Sequence, residues 1–203
     1  MLGGRRLYLV TPAGPGLVDL LAAAIRGGVD VVQIREKTLP DRELLPLLEQ
    51  ARELTRSLDV PLVVNDRPDL ALLAGADYVH LGQDDLPLAA ARRLGLAVGL
   101  STHTPAEVAA TGADYIGVGP VFATPTKEGR PPVGLGLVRY AAAHSPVPWF
   151  AIGGIDRTTV EQVVAAGAHR VAVVRAICEA ADPEQAAREL RAAVDAVAEV
   201  EAR

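Results

Sequence analysis

Apolar runs of strand length alternate with longer stretches of helical spacing along the whole chain. The runs that predict strands lie at 6–11, 30–34, 61–65, 78–82, 97–102, 115–122, 149–153 and 170–177. The stretches that predict helices lie at 17–26, 41–57, 68–73, 88–94, 105–110, 135–143, 157–166 and 183–199. Eight strands that are each followed by a helix predict an α/β protein with one domain over residues 1–203, a (β/α)8 TIM barrel.

The character of the predicted strands supports a closed barrel. They are apolar on both faces, as expected of strands that lie inside a ring of helices. An open, doubly wound sheet is the alternative, but eight units in a chain of 203 residues favour closure. A weak repeat marks the units, because Gly28, Gly75, Gly112 and Gly167 each end a predicted helix just before a strand. A glycine there can take the left-handed conformation that stops a helix.

Polar side chains gather where the predicted strands end, which in this fold is the face that carries active sites. The second predicted strand ends in Gln33, Arg35 and Lys37, which alternation puts on one face, while Ile34 and Glu36 take the other. If the first set points inward, two cations and an amide lie at the barrel mouth. That set suits a polyanionic ligand such as a pyrophosphate.

Two carboxylates follow neighbouring predicted strands and suggest a metal. Asp66 ends the third strand and Asp85 follows the fourth, with Asn65 and Lys37 nearby in the predicted barrel. Hard oxygen ligands beside a phosphate-type anion indicate Mg²⁺, which takes one or two carboxylates together with waters and substrate oxygens. The alternative is that each Asp caps the helix that follows it. Because Lys37 and Asn65 lie in the same predicted region, we favour the metal site over helix capping.

The remaining candidates lie after the later strands. Thr124, Thr126 and Lys127 follow the sixth strand and lead into a loop rich in Gly and Pro at 128–136, which suits a lid. Gly154 follows the seventh strand, in the region where such barrels often bind a phosphate through backbone amides. His80 flanks the predicted mouth, where we interpret it as a structural residue.

Composition narrows the range of partners. The formal net charge is −5 and the chain has no basic run, which argues against nucleic acid and anionic membranes as partners. No apolar run approaches the ~20 residues of a membrane span. With one cysteine the chain has no disulfide framework. The sequence thus predicts a cytoplasmic protein that acts on small molecules, and it leaves a homo-oligomer possible.

Lys and Asn are rare in this chain, and their few positions are strong candidates for functional residues. Of the 20 basic residues, 18 are Arg, and the two Lys are Lys37 and Lys127. The single Asn of the chain is Asn65. A compositional bias explains the general shortage, so the exceptions indicate positions where no substitute works. All three lie in short polar segments that directly follow apolar runs.

Seven motifs, in order along nearly the whole chain, resemble those of the thiamine phosphate synthase family. They are Gln33-Ile-Arg-Glu-Lys37, Asn65-Asp66-Arg67, His80-Leu-Gly-Gln-Asp-Asp85, Gly99-Leu-Ser101-Thr-His103, Gly117-Val-Gly-Pro with Thr124-Pro-Thr-Lys127, Pro132-Val-Gly134, and Ala151-Ile-Gly-Gly-Ile155. The resemblance implies a transferase that joins an aminopyrimidine-methyl diphosphate to a thiazole phosphate, giving thiamine phosphate and pyrophosphate.

The resemblance also implies a role for each matching residue. It implies that the pyrimidine diphosphate is bound by Gln33, Arg35, Lys37, Asn65, Ser101 and Lys127, with Lys37, Ser101 and Lys127 as catalytic residues. Mg²⁺ would be held by Asp66 and Asp85. The thiazole phosphate would be held by Thr124, Thr126, Gly154, Val174 and Arg175. The family commonly has Ser at the last of these positions, so an Arg there either strengthens the grip on phosphate or crowds the pocket.

The implied chemistry suits the inventory of side chains. An electron-rich aminopyrimidine can stabilise a cation on its methylene, so pyrophosphate can leave before the thiazole nitrogen attacks. Such a dissociative displacement needs charge stabilisation on the leaving group and no nucleophilic side chain.

Three other functions compete with the synthase reading. They are a thiazole tautomerase of the same fold, a phosphosugar isomerase or lyase on the same barrel, and a non-catalytic sensor of thiamine intermediates. The tautomerase relatives lack the Lys of the first motif, the Asn-Asp pair and the Gln-Asp-Asp, all of which this chain has.

Overall fold

Eight parallel strands close into a barrel in chain order in the computed structural model, with β1 paired to both β2 and β8. The structure describes residues 2–124 and 131–201, with side chains described as far as residue 196. The strands are β1 (Leu7–Thr11), β2 (Val31–Ile34), β3 (Leu62–Asn65), β4 (Tyr78–Leu81), β5 (Ala97–Thr102), β6 (Tyr115–Val118), β7 (Trp149–Ile152) and β8 (Val171–Val173). The predicted TIM barrel is confirmed.

Helices follow the strands and surround them. They are α1 (Leu17–Arg26), α2 (Asp41–Ser57), α3 (Pro68–Leu73), α4 (Leu88–Arg93), α5 (Pro105–Ala109), α6 (Gly134–His144), α7 (Val160–Ala165), α8 (Arg175–Cys178) and α9 (Pro183–Glu201). In the described part of the chain, none of them combines the length and the apolar character that a membrane span requires.

Alternation along each strand divides the apolar residues into two clusters. On β1, Leu7 and Leu9 face outward and join the large core between strands and helices. Tyr8 and Val10 face inward and join a smaller cluster that also contains Tyr115. This is the period of two that buried parallel strands require. The inner cluster forms the floor on which the polar mouth of the barrel stands.

Three of the turns that lead into strands contain an Asp whose carboxylate makes the same two contacts. Asp30, Asp77 and Asp114 each accept the backbone N–H of a residue at the start of the strand before their own, as Asp77 does from Leu62 at 2.8 Å. Each also pairs with an Arg, and Arg52 makes a two-pronged contact to Asp77 at 2.6 and 2.9 Å. These contacts lie at the amino ends of the strands and hold the barrel together, away from the mouth.

The glycines of the repeat behave as predicted at three of four positions. Gly28, Gly75 and Gly167 have φ of 109°, 64° and 100°, which is the left-handed region. Gly112 is not among the residues with positive φ, so the expectation was wrong there. The turn after α5 therefore ends that helix without a left-handed residue at this position.

Three predicted elements were too long. The sixth strand ends at Val118 and not at residue 122, because Pro120 has no N–H to offer a strand ladder. The eighth strand ends at Val173, and Arg175 begins the short helix α8, so residues 174–177 are not strand. The helix predicted from residue 157 begins at Val160, because the Asp156 carboxylate accepts the backbone N–H groups of residues 158 and 159 in a local turn.

Candidate active site

A cavity of about 420 Å³ opens at the carboxyl ends of the strands. Its wall contains eight of the residues that the sequence singled out: Gln33, Arg35, Asn65, Ser101, Thr124, Gly154, Val174 and Arg175. Thr126 and Lys127 lie outside the described residues. Asp66 contacts both Lys37 and Asp85, and none of these three residues is part of the cavity wall. The candidate residues that the structure describes therefore form one cavity and one charged cluster.

The residues from Gln33 to Glu36 divide as alternation predicts, whereas Lys37 lies outside the cavity wall. Gln33 is buried in the cavity wall, where its amide nitrogen donates to the Tyr8 hydroxyl at 2.7 Å. Arg35 lies further out in the same wall. Glu36 turns away and accepts backbone N–H groups from its own loop, including that of Lys37 at 2.9 Å. Glu36 thus shapes the loop that carries Lys37.

Asp66 and Asp85 are brought side by side from the ends of neighbouring strands. Asp66 has φ 61° and its Oδ2 lies 3.0 Å from Lys37 Nζ. Burial raises the pKa of the Asp66 carboxyl, the Lys37 hydrogen bond lowers it, and the adjacent Asp85 carboxyl raises it again. Two carboxyl groups that repel each other in this way offer a place for a cation.

Helix capping does not account for either carboxylate. Within the described residues, α3 and α4 have Arg67 and Pro87 at their N-caps, and neither helix has a side-chain cap. The Asp85 Oδ2 atom instead accepts the Gly82 N–H at 2.6 Å, which fixes it in its loop. The same part of the chain contains no group of three or more His, Cys, Asp or Glu suited to a metal. A two-carboxylate site fits Mg²⁺ that keeps waters and takes substrate oxygens.

Asn65 carries the clearest sign of a missing ligand. Its side chain is buried in the cavity wall, yet its Nδ2 has no hydrogen-bond partner in the part of the chain that the structure describes. A buried amide donor without an acceptor costs about 1–3 kcal/mol. An oxygen atom of a bound substrate would remove that cost.

The opposite wall is built from the ends of β7 and β8. Gly153 and Gly154 have φ of 105° and 64°. A Cβ at Gly154 would lie 2.7 Å from Phe122 Cβ and 2.9 Å from the Ala123 carbonyl oxygen, so no side chain fits there. The bare backbone of this turn faces the cavity beside Thr124. Arg175 lies at the start of α8 with its side chain exposed, so it is not the strand-end residue predicted.

Two tyrosines that belong to none of the sequence motifs form the base of the cavity. Tyr8 and Tyr115 are buried, and their hydroxyl oxygens are 2.8 Å apart. His80 lies in the same wall, with Nδ1 3.0 Å from the Tyr115 hydroxyl and Nε2 3.0 Å from Ser101 Oγ. Gly99 was the available signal, since a Cβ there would lie 2.1 Å from the Tyr115 ring. A glycine inside a strand often marks such a close approach.

Known proteins resemble this chain over most of its length. Residues 7–177 match the family model described as thiamine monophosphate synthase. The chain is 54% identical over 188 residues to the thiamine-phosphate synthase of Gloeobacter violaceus, an alignment that covers 90% of this chain and 55% of that relative. The chain therefore spans about half the length of that curated relative.

Two further comparisons cover both partners almost completely. The thiamine-phosphate synthase of Thermus thermophilus is 52% identical over 202 residues, covering 94% of this chain and 97% of the relative. The solved structure of the thiamine phosphate pyrophosphorylase from Pyrococcus furiosus superposes with a TM-score of 0.85 at 34% identity. That superposition covers 95% of this chain and 96% of the other.

Proposed function

This chain belongs to the thiamine monophosphate synthase family, and we propose that it is the transferase that joins an aminopyrimidine-methyl diphosphate to a thiazole phosphate. The products are thiamine phosphate and pyrophosphate. One observation carries the proposal: a cavity lined by Gln33, Asn65 and Ser101 lies beside the paired carboxylates Asp66 and Asp85. An organic ring and a metal-bound diphosphate need that combination.

The diphosphate binds at the charged edge of the cavity. Arg35 forks onto phosphate oxygens, and Lys37 supplies a compact point charge beside the carboxylates. Asn65 donates to the same ligand from its Nδ2 atom, which has no hydrogen-bond partner among the described residues. Lys127, which lies outside the described residues, matches the family motif and adds a second point charge in this proposal. Together these cations stabilise the negative charge that grows on the departing pyrophosphate.

Asp66 and Asp85 are the residues that hold Mg²⁺ in this proposal. When bound, the ion neutralises the diphosphate and makes it a better leaving group. Lys37 already pairs with Asp66, and this contact opposes the rise in the Asp66 pKa that burial and the Asp85 carboxyl cause. The hydrogen bond from Gly82 holds Asp85 in place.

The rest of the cavity receives the thiazole phosphate and protects the reaction. Thr124, Thr126, Gly154 and the backbone of Val174 and Arg175 bind the phosphate group. Apolar side chains of Phe150 and Ile152 also line the cavity. They reduce access of water to the methylene cation that forms when pyrophosphate leaves. The thiazole nitrogen, held beside that methylene, completes the displacement.

Incubation of the purified protein with both substrates and Mg²⁺ tests the proposal. We expect thiamine phosphate and pyrophosphate in equal amounts, with no product when either substrate is omitted. Excess EDTA should stop the reaction, and added Mg²⁺ should restore it. Absence of thiamine phosphate under all metal conditions would refute the proposed activity.

The thiazole tautomerase reading predicts a different outcome. The protein would then isomerise the thiazole phosphate alone, which NMR of the heterocycle detects without the pyrimidine diphosphate or a metal. The described structure does not favour this function, because Lys37, Asp66 and Asp85 would form a charged cluster without a role in it.

A further inference from the structure

An unbroken chain of hydrogen bonds crosses the floor of the cavity from β2 to β5. It begins at the Gln33 amide nitrogen, which donates to the Tyr8 hydroxyl at 2.7 Å. The Tyr8 and Tyr115 hydroxyls follow at 2.8 Å, and the Tyr115 hydroxyl is 3.0 Å from His80 Nδ1. The chain ends where His80 Nε2 lies 3.0 Å from Ser101 Oγ. Its two ends are residues that the family resemblance assigns to the pyrimidine diphosphate.

The Gln33 end determines the direction of the whole chain. Tyr8 accepts from the amide, so its own proton is available for Tyr115. If Tyr115 donated to Tyr8 instead, the Tyr8 proton would have no acceptor in the chain. A buried donor in that state costs about 1–3 kcal/mol. Tyr115 therefore accepts from Tyr8 and donates to His80 Nδ1.

The direction of the chain also determines which ring nitrogen of His80 carries the proton. A ring whose Nδ1 accepts a hydrogen bond carries its proton on Nε2 when neutral. His80 then donates from Nε2 to Ser101 Oγ, so the Ser101 hydroxyl proton points away from His80. We propose that Tyr8, Tyr115 and His80 are positioning residues that relay the orientation of Gln33 to Ser101, and so present Ser101 to the pyrimidine diphosphate as a hydrogen-bond donor. The substrate part of this inference rests on the proposed function.

The packing around the two phenols supports a fixed relay. Tyr115 is fully buried, with Tyr78 and Phe150 edge-on to its ring at centroid distances of 5.6 and 6.0 Å. Gly99 leaves the space that the ring occupies. Burial also raises the pKa of both Tyr8 and Tyr115, so each hydroxyl keeps its proton near neutral pH. Each phenol can therefore serve as donor and acceptor at once.

Nitrogen NMR of the histidine side chains, recorded without substrates at pH 8, tests the direction of the relay. The His80 signals are assigned by their loss in His80→Asn. We expect the wild-type ring to carry its proton on Nε2. In Gln33→Glu the carboxylate can only accept, so Tyr8 must donate to it and the chain must reverse. The His80 proton should then move to Nδ1, and a proton that stays on Nε2 would overturn the inference.

A matched pair of tyrosine variants separates the relay from simple packing. Tyr115→Phe removes a hydroxyl inside the chain, whereas Tyr78→Phe makes the same change on a ring that contacts Tyr115 without entering the chain. Only Tyr115→Phe should shift the His80 Nδ1 signal toward that of a nitrogen without a hydrogen bond. Equal spectra for the two variants would contradict the relay.

Kinetics then connects the relay to the substrate. Tyr115→Phe should raise KM for the pyrimidine diphosphate about two- to tenfold, the effect of one net hydrogen bond, and leave KM for the thiazole phosphate unchanged. Tyr78→Phe should leave both values unchanged. A protein that forms no thiamine phosphate would refute the proposed function, while the NMR result would still decide the direction of the chain.

Discussion

Lys37 and Asp66 form an ion pair at the mouth of the barrel, with Lys37 Nζ 3.0 Å from Asp66 Oδ2. The two residues follow the neighbouring strands β2 and β3. The Lys37 side chain is 56% exposed, and such pairs contribute about 0–1 kcal/mol to stability. The contact is therefore poorly explained as a structural brace. It places a lysine proposed to receive the diphosphate against a carboxylate proposed to hold the metal.

Replacing either paired carboxylate should greatly reduce turnover and leave the fold intact. Asp66→Asn and Asp85→Asn each remove one of the two proposed metal ligands, so we expect kcat to fall about 100-fold or more. The positive φ of Asp66 suits Asn, and thermal melting should therefore stay close to that of the wild type. Asp84→Asn, at the exposed position next to Asp85, is the control and should keep its activity. Full activity of Asp66→Asn or Asp85→Asn would remove that residue from the metal site.

Lys37 should oppose metal binding while it promotes turnover. In Lys37→Met the Asp66 carboxylate loses its cationic partner. A metal ion then no longer competes with the Lys37 ammonium group for Asp66. We expect Mn²⁺, used as a probe for Mg²⁺ in electron paramagnetic resonance, to bind several-fold more tightly. At the same time kcat should fall, because the leaving group loses a point charge. Weaker Mn²⁺ binding would show that Lys37 does not compete for Asp66.

Arg67, although it lies within the Asn65-Asp66-Arg67 motif, should affect stability and not catalysis. Its guanidinium forks onto Asp41 at 2.6 and 2.8 Å and onto Asp69 at 2.9 and 2.6 Å. These hydrogen bonds lower the pKa of both carboxyl groups in the folded protein. The stability they contribute is present above the unfolded pKa, about 3.9, and is lost as the pH falls through the lowered folded values.

Melting curves of Arg67→Ala against pH check this assignment. The variant should melt slightly below the wild type at pH 7, since exposed ion pairs contribute little. The difference should shrink as the pH falls below about 4. KM for both substrates should stay unchanged. A raised KM for the pyrimidine diphosphate would instead place Arg67 in the substrate site.

The periodicity of apolar residues in the sequence was sufficient to predict the barrel and many of the residues at its mouth. Alternation of period two places Gln33 inside and Ile34 outside without any knowledge of partners. Periodicity could not predict the residue at which β8 ends. The short helix α8 buries Ile177, so an apolar run continues from the strand into the helix and hides the boundary at Val173.

The tyrosine relay could not be predicted for a different reason. Tyr8 and Tyr115 are separated by 107 positions in the chain. Each lies in an apolar run, where a tyrosine is expected to be an ordinary core residue. Their contact depends on the stagger of β1 and β6 across a closed barrel. Local patterns carry no information on that distance, and only Gly99 hinted at a large neighbour.

The turn at Gly154 should tolerate no side chain. Its φ is 64°, and a Cβ would meet Phe122 and the Ala123 carbonyl oxygen at 2.7 and 2.9 Å. We expect Gly154→Ala to lower the free energy of unfolding by about 2 kcal/mol or more and to raise KM for the thiazole phosphate. Gly136→Ala is the matched control, because Gly136 lies in α6 and a Cβ there meets nothing within 4 Å. That variant should gain up to about 1 kcal/mol in stability with both KM values unchanged. Denaturant unfolding with steady-state kinetics on both variants measures these effects, and equal stability of the two would show that the turn can relax around a methyl group.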